Sequence, residues 1–187
     1  MRAVNKLSAL LVGLLCSSAL AAAEPLPQRW VSAGGALSEW IMQLGGADKL
    51  VGVDSTSQHL PALQALPIVG YQRQLAAEGI LALRPDLLLG SEEMGPPTVL
   101  TQLRNAGVQV EVLSAAPEMD VLASNLLRIG ELLGKPQQAR LAASEFRQRL
   151  QQQQGWIVKA QQQQEAPGVL LLLGHAGSSP LVAGQDT

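Results

Sequence analysis

Cysteine is nearly absent from the 187-residue sequence, which contains it once, at Cys16. A single cysteine forms no disulfide within its own chain, and it is too few for a cysteine-based zinc site or an iron–sulfur cluster. A lipoprotein signal would need a small residue just before the cysteine, whereas Leu14 and Leu15 precede Cys16. We therefore assign Cys16 to a leader that the mature chain lacks, which also excludes thiol catalysis.

Aromatic residues are also scarce, at 3 % of the chain. Phe146 is the single phenylalanine and Tyr71 the single tyrosine, and the three tryptophans are Trp30, Trp40 and Trp156. Any chemistry that needs a phenol must therefore use Tyr71.

Basic charge and nucleotide-binding motifs are missing too. The chain carries 13 basic and 15 acidic residues, a net charge of −2, without the basic stripe that nucleic-acid binding needs. The glycine pairs Gly34-Gly35 and Gly45-Gly46 do not form the dinucleotide-binding pattern, and neither a Walker motif nor the G-x-S-x-G of hydrolases is present. Nucleic acid is excluded as a partner, and an ATPase subunit is excluded as an identity.

The first residues are typical of a secretory signal peptide. Arg2 and Lys6 precede a largely apolar stretch at residues 7–15, and three alanines at residues 21–23 supply a cleavage site. We expect residues 1–23 to be a signal peptide that is cleaved after Ala23, which leaves 11 basic and 15 acidic residues. The alternative is a membrane anchor, but the apolar stretch is short for the roughly 20 residues that a span needs.

Short apolar runs alternate with helical patterns through the first half of the chain. Strands are predicted at residues 29–33, 50–53, 86–90 and 108–113, with helices at residues 37–44, 76–83 and from Pro96 or Pro97 to Asn105. Alternation of this kind predicts an α/β fold with a largely parallel sheet. We assign residues 24–117 to an N-terminal α/β lobe.

The pattern changes after residue 117. Residues 118–166 contain no strand signal and are predicted to be a connecting helix, in which Gly134-Lys135-Pro136 allows a kink or break. The two glutamine runs, 151–154 and 161–164, are interpreted as a solvated helix face. Residues 169–173 predict a buried strand that opens a second lobe at residues 167–187, and we expect that lobe to be truncated.

Two stretches of sequence carry a resemblance to a known class of proteins. Val51-Gly52-Val53-Asp54 follows the first helix, and the pattern Glu-x-Ile-x-x-Leu-x-Pro-Asp-Leu-Leu-Leu occupies residues 78–89. Residues 29–187 resemble the periplasmic binding proteins of vitamin B12, siderophore and haem importers. The resemblance implies a bilobed fold, in which two α/β lobes are joined by a long helix and the ligand lies in the cleft between them.

A sharper resemblance lies at residues 70–79, Gly-Tyr-Gln-Arg-Gln-Leu-Ala-Ala-Glu-Gly, supported by residues 31–35 and 51–57. These segments are similar to the haem-binding branch of that class, whose N-terminal lobe supplies a tyrosine ligand to iron. The resemblance implies that the protein captures haem in the periplasm, catalyses nothing and delivers haem to an ABC permease dimer at the inner membrane. It implies that Tyr71 is the axial ligand.

The residue types at positions 71 and 73 suit ferric haem. A phenolate is a hard anionic donor for Fe(III), and tyrosine is a known axial ligand of haem. In an extended segment, Arg73 would face the same side as Tyr71 and could hydrogen-bond the phenolate or pair with a haem propionate. The ordinary alternative is a half-buried tyrosine at the end of a strand, with its hydroxyl in water.

Five other residues have open roles. His175 follows the strand predicted at residues 169–173; it is either a second axial ligand, a contact to a second haem or an ordinary loop histidine, and His59 is interpreted as an ordinary loop residue. In the wider class a carboxylate of each lobe contacts permease arginines, and Glu78 matches that position, although it could be a plain exposed helix acid. Glu92 and Glu93 are weaker candidates for acids at the rim of the cleft.

Three alternative functions remain open at this stage. The first is a carrier of the same architecture for a ferric siderophore or cobalamin, neither of which requires a phenolate. The second is an exported α/β hydrolase that uses His175, for which the sequence offers no convincing nucleophile. The third is a structural adaptor that docks a membrane partner through acids such as Glu78.

Overall fold

The computed structural model describes residues 25–165, 167–173 and 181–182. Its strands are β1 (Trp30–Ala33), β2 (Leu50–Val53), β3 (Gly70–Tyr71), β4 (Gln74–Leu75), β5 (Leu87–Ser91), β6 (Gln109–Leu113), β7 (Leu172–Leu173) and β8 (Leu181–Val182). Its helices are α1 (Gly35–Gln43), α2 (Ala77–Ala82), α3 (Pro97–Asn105), α4 (Met119–Leu132) and α5 (Pro136–Gln163). Short 3₁₀ turns occupy Ala47–Lys49, Ser55–His59 and Pro61–Leu63.

A four-stranded parallel sheet in the order β2-β1-β5-β6 forms the centre of the lobe. The predicted α/β fold is confirmed, and the strand positions agree with the sequence pattern to within about one residue. Every residue of β1 is buried, as expected for a strand of a parallel sheet that is covered on both faces. At the amino ends of the strands, the Asp86 carboxylate accepts hydrogen bonds from the backbone N–H groups of Gln28 (2.8 Å) and Arg29 (3.0 Å). These bonds anchor the chain where it enters β1.

Successive residues of the central strands point to opposite faces of the sheet and build two separate cores. Trp30 pairs in register with Leu87, and both belong to the core that α1 and α4 cover. Val31 pairs with Leu88, and both belong to the core that α2 and α3 cover. The two helical layers leave the carboxyl ends of the strands open.

The segment at residues 118–166 is broken into two helices at residues 133–135, where the sequence allowed a kink or break. Gly134 adopts a positive φ of 70° after α4, and Pro136 begins α5, where its missing N–H costs no helical hydrogen bond. Helix α4 packs on the first core through residues such as Leu126 and Ile129, so it belongs to the lobe that it follows. The first turns of α5 join the same core through Ala139 and Ala143, and the helix is exposed from residue 151 onward.

Helix α4 is also attached to the sheet by an ion pair. Arg128 donates to both carboxylate oxygens of Glu111 on β6, over 2.6 and 3.1 Å, and to Glu131 one turn along α4. The hydrogen bonds and charge of Arg128 hold the pKa of the Glu111 carboxyl below its ordinary value. The pair fixes the face of α4 that borders the end of β6.

Helix α5 is exposed over residues 151–165, which confirms the solvated-face interpretation of the glutamine runs. Among the helices that the structure describes, none combines the length and the apolar character that crossing a bilayer requires. The interpretation of residues 169–173 as a buried strand is wrong: only Leu172–Leu173 pairs, antiparallel with β8, and Val169 and Leu170 are 86 % and 69 % exposed. An apolar run predicts burial only where a layer covers it, and no described element covers this one.

The contact between α4 and α5 generates a stability prediction. A Cβ atom at Gly130 would overlap the Cβ atom of Ala139, whereas a Cβ atom at Gly155, on the exposed part of α5, would meet nothing within 4 Å. We expect Gly130→Ala to lower the free energy of unfolding by about 1–2 kcal/mol, because overpacking outweighs the helix propensity of alanine. The matched control Gly155→Ala should raise it by about 0.5–1 kcal/mol.

Urea unfolding of both variants, followed by circular dichroism, measures the difference. Equal stabilisation by the two substitutions would show that α4 and α5 do not pack closely at Gly130.

Candidate ligand-binding cleft

A cleft of about 470 Å³ lies at the carboxyl ends of the parallel strands. Its walls come from the loop that follows each strand, for example Gly34 after β1, Thr56 after β2, Glu93 after β5 and Ala115 after β6. This edge is where open α/β sheets bind ligands, because neighbouring loops diverge there. The cleft is therefore the candidate functional site.

The turn from β1 into α1 requires glycine at Gly34 and at Gly35, the first residue of α1. Gly34 has a φ of 134°, a conformation that side chains with a Cβ rarely adopt. A Cβ atom at Gly35 would lie 2.5 Å from the carbonyl oxygen of Thr56, and the Gly35 N–H donates to Thr56 Oγ1 over 2.8 Å. The absence of side chains brings the two loops together and leaves a bare backbone wall facing the cleft.

One buried carboxylate ties three loops of this edge together. Asp54 is fully buried, and its Oδ1 atom accepts hydrogen bonds from Gly34 N–H (3.0 Å) and Ser57 Oγ (3.1 Å). Its Oδ2 atom accepts from Thr56 N–H and Gln72 N–H, both over 3.2 Å, and Thr56 Oγ1 also donates to the carboxylate. The loops after β1 and β2 and the β3–β4 hairpin are thus held at one anchor.

A chain of buried hydroxyl groups extends this anchor beneath α1. Ser38 Oγ donates to Ser32 Oγ over 2.8 Å, and Ser38 Oγ lies 2.8 Å from Ser57 Oγ. All three serines are fully buried. Sequence analysis did not assign any role to Asp54 or these serines, although an aspartate followed by Ser-Thr-Ser directly after a strand is a pattern that caps turns through side chains.

Tyr71 lies on β3, the first strand of a small antiparallel hairpin, where it pairs with Gln74. Its side chain is 41 % exposed, and the next residue, Gln72, lines the cleft and is bonded to Asp54 through its backbone. Gln72 and Arg73 form the turn of the hairpin, so the expectation of one extended segment with Tyr71 and Arg73 on the same side is wrong. Pairing of residue 71 with residue 74 leaves only two residues for the turn, which reverses the chain.

Arg73 is placed beside an acid of a neighbouring loop. Its guanidinium Nη2 donates to Glu93 Oε1, and the amide of Gln72 donates to Glu93 Oε2 over 3.4 Å. The predicted contact of Arg73 with the Tyr71 phenol is not formed in this arrangement. Glu93 lines the cleft, which confirms its place at the rim.

The remaining candidates occupy different parts of this region. Glu78 is exposed in the first turn of α2, and the Glu92 carboxylate accepts from Ala115 N–H (3.1 Å), which holds the loop after β6. His59 lines the cleft, and its Nδ1 lies 2.8 Å from the carbonyl oxygen of Thr56. His175 lies outside the described residues.

Comparison with known proteins supplies the family. A profile described as "Periplasmic binding protein" matches residues 31–187. The periplasmic heme-binding protein of Pseudomonas aeruginosa superposes with a TM-score of 0.81 at 64 % identity, over 86 % of this chain and 57 % of that chain. The periplasmic heme-binding protein HutB of Vibrio cholerae superposes with a TM-score of 0.64 at 41 % identity, over 83 % of this chain and 58 % of that chain.

A curated relative bears a different name. The vitamin B12-binding protein of Pectobacterium atrosepticum is 32 % identical over 168 residues, which are 90 % of this chain and 58 % of the relative. The chain thus spans little more than half the length of these relatives. The predicted resemblance is confirmed at the level of the wider class, whose members are periplasmic ligand-binding components of transport systems. On its sequence profile and its fold, the chain belongs to the periplasmic binding protein family.

Proposed function

We propose that the protein captures ferric haem in the periplasm and delivers it to an ABC import permease, with Tyr71 as the axial iron ligand and without catalysis. The observation that carries the proposal is the position of Tyr71. The only tyrosine of the chain lies on the hairpin beside the cleft, and its side chain is 41 % exposed. The 64 % identity to a periplasmic heme-binding protein supports the same ligand.

The surroundings of Tyr71 suit an iron ligand. A phenol has a pKa near 10 in water, so a metal ion or a nearby cation must favour the phenolate. Ferric iron would supply that charge when haem is bound, whereas Arg73, on the hairpin turn, pairs with Glu93. The hydrogen bond from Gln72 N–H to the Asp54 carboxylate holds the hairpin at the edge of the sheet. It therefore limits how far the phenol oxygen of Tyr71 can move.

The wall of the cleft suits a flat apolar ring. Leu37, Ala115, Ala116 and Leu122 contribute apolar surface, and Gly34 and Gly35 contribute bare backbone. Burial of apolar area is the dominant favourable contribution to binding such a ring. His175, which lies outside the described residues, stays a candidate for the second axial ligand.

A second candidate ligand is cobalamin, because a vitamin B12-binding protein is 32 % identical over 90 % of this chain. Cobalamin needs neither a phenolate ligand nor an arginine beside it. Titration of the protein with cyanocobalamin, in parallel with ferric haem, shows which of the two ligands the protein binds more tightly.

The first prediction concerns Tyr71. Tyr71→Phe removes only the hydroxyl group and keeps the ring, so we expect the tyrosinate-type ferric haem spectrum of the protein to disappear while the fold is retained. Visible absorption spectra, with circular dichroism as the fold check, measure both effects. Trp156→Phe is the matched control, because it alters an exposed aromatic residue on α5, away from the cleft.

The outcomes distinguish the alternatives. An unchanged spectrum in Tyr71→Phe would move the iron to a histidine, His59 or His175. Absence of haem uptake by the unaltered protein, together with cyanocobalamin binding, would favour the cobalamin carrier.

The second prediction concerns Asp54. In Asp54→Asn an amide N–H₂ group replaces one acceptor oxygen and faces donors such as Gln72 N–H, so the hairpin loses its anchor. We expect the free energy of unfolding to fall by about 1.5–3 kcal/mol, the range for hydrogen bonds to a charged group, and haem to dissociate several-fold faster. Asp48→Asn makes the same chemical change on an exposed turn and serves as control.

Denaturant unfolding and stopped-flow haem transfer to apomyoglobin measure the two effects. If Asp54→Asn unfolds and releases haem as the unaltered protein does, the buried carboxylate does not position the hairpin.

The third prediction concerns permease docking. Glu78 exposes its carboxylate in the first turn of α2, away from the side chains that line the cleft. We expect Glu78→Gln to keep haem affinity while haem uptake by vesicles that contain the permease falls, because a contact to permease arginines is lost. Glu39→Gln, on the exposed face of α1, is the control, and undiminished uptake by Glu78→Gln would contradict the docking role.

A further inference from the structure

The Arg73–Glu93 ion pair links the hairpin of Tyr71 to the loop that follows β5. The side chains of Arg73 and Glu93 are 55 % and 42 % exposed, so the pair lies at the open surface of the cleft. The backbone holds it in place: Gly95 N–H donates to Gln72 C=O over 2.9 Å, and Leu75 N–H donates to Gly95 C=O over 2.8 Å. The two loops therefore hold Arg73 and Glu93 close together.

A haem ligand changes what Arg73 can bind. Haem carries two propionate carboxylates, and coordination by Tyr71 creates a phenolate oxygen, so three anionic acceptors enter a cleft where Glu93 already binds the guanidinium. Arg73 engages Glu93 through Nη2 alone, so a carboxylate that binds the guanidinium in bidentate geometry must share or displace that contact. Glu93 also adds a negative charge of its own to the wall of the cleft.

We propose that Glu93 limits the affinity for haem by competing with the anionic groups of the ligand for Arg73. Haem binding then exchanges one carboxylate partner of Arg73 for another, and departure of haem lets Arg73 return to Glu93. This role rests on the proposed function, and it gives the cleft a built-in way to favour release. Glu93 thus influences how tightly the cleft holds its ligand.

The neighbouring acid does not share this role. The Glu92 carboxylate accepts hydrogen bonds from Ala115 N–H over 3.1 Å and Ser114 Oγ over 3.4 Å, and it forms no ion pair within the described residues. Glu92→Gln therefore removes the same charge from the same loop without freeing an arginine. The chain thus contains its own matched control.

The test is a double-substitution cycle on haem release. The rates of haem transfer to excess apomyoglobin are compared for the unaltered protein, Glu93→Gln, Arg73→Gln and the double variant, with Glu92→Gln alongside. Because exposed ion pairs are weak, we expect Glu93→Gln to slow release by about two- to five-fold. In a protein that already carries Arg73→Gln, adding Glu93→Gln should not change the rate of haem release. Glu92→Gln should not change that rate whether Arg73 is present or replaced.

Each outcome decides a point. Unchanged or faster release from Glu93→Gln would overturn the inference, since Glu93 would then be neutral or would position Arg73 for haem. Equal slowing in both Arg73 backgrounds would also overturn it, because charge repulsion alone would explain the effect. Failure of the unaltered protein to bind haem would instead refute the proposed function, so the two failures are distinguishable.

Discussion

The arrangement of the cleft depends on a single buried carboxylate. Asp54 is fully buried and accepts hydrogen bonds from the loop after β1, the turn after β2 and the β3–β4 hairpin. A buried charge is tolerated only when its hydrogen-bonding capacity is filled, so these donors cannot move independently without exposing an unsatisfied anion. The hydroxyl chain under α1 extends the same constraint into the lobe. Loops that would otherwise vary in position thus form a defined wall, and the hairpin with Tyr71 is part of it.

Two neighbouring acids near this wall, Glu92 and Glu93, bind different partners. The Glu92 carboxylate accepts hydrogen bonds from a backbone N–H and a hydroxyl group of the loop after β6, and so holds that loop in place. Glu93, one residue later, pairs with Arg73 of the hairpin, and both side chains remain about half exposed. The first interaction fixes a loop, whereas the second is an exposed ion pair, which contributes little to stability. Adjacent residues of the same type therefore have different functions according to the partners that the fold brings to them.

Much of the fold was predictable from local pattern. Strand β1 is mostly apolar and β5 begins with three leucines, and helix α3 begins at one of its two candidate prolines, so local pattern located these elements. Prediction from sequence was incomplete where contacts between residues distant in sequence decide which elements are buried and how they pack. Residues 169–173 have the composition of a core strand, yet Val169 and Leu170 are exposed in the described lobe. The break that the sequence allowed at residues 134–136 is present, but the helical pattern did not show that α4 and, through Ala139 and Ala143, the first turns of α5 pack on the same core.

The sequence by itself determined the α/β class, the membership of the periplasmic binding protein family and the choice of Tyr71 as the candidate haem ligand. These follow from apolar periodicity and a short distinctive motif, which are local properties of the chain. Only the tertiary structure decided what surrounds Tyr71. The turn at Gln72 and Arg73 separates the tyrosine from the arginine that sequence spacing had paired with it, and Arg73 instead meets Glu93 from a loop 20 residues away. Asp54 acquired its role in the same way, since its donors come from residues 34, 56, 57 and 72. Hydrogen-bond partners of this kind depend on how loops converge at the end of a sheet, and residue spacing carries no information about that convergence.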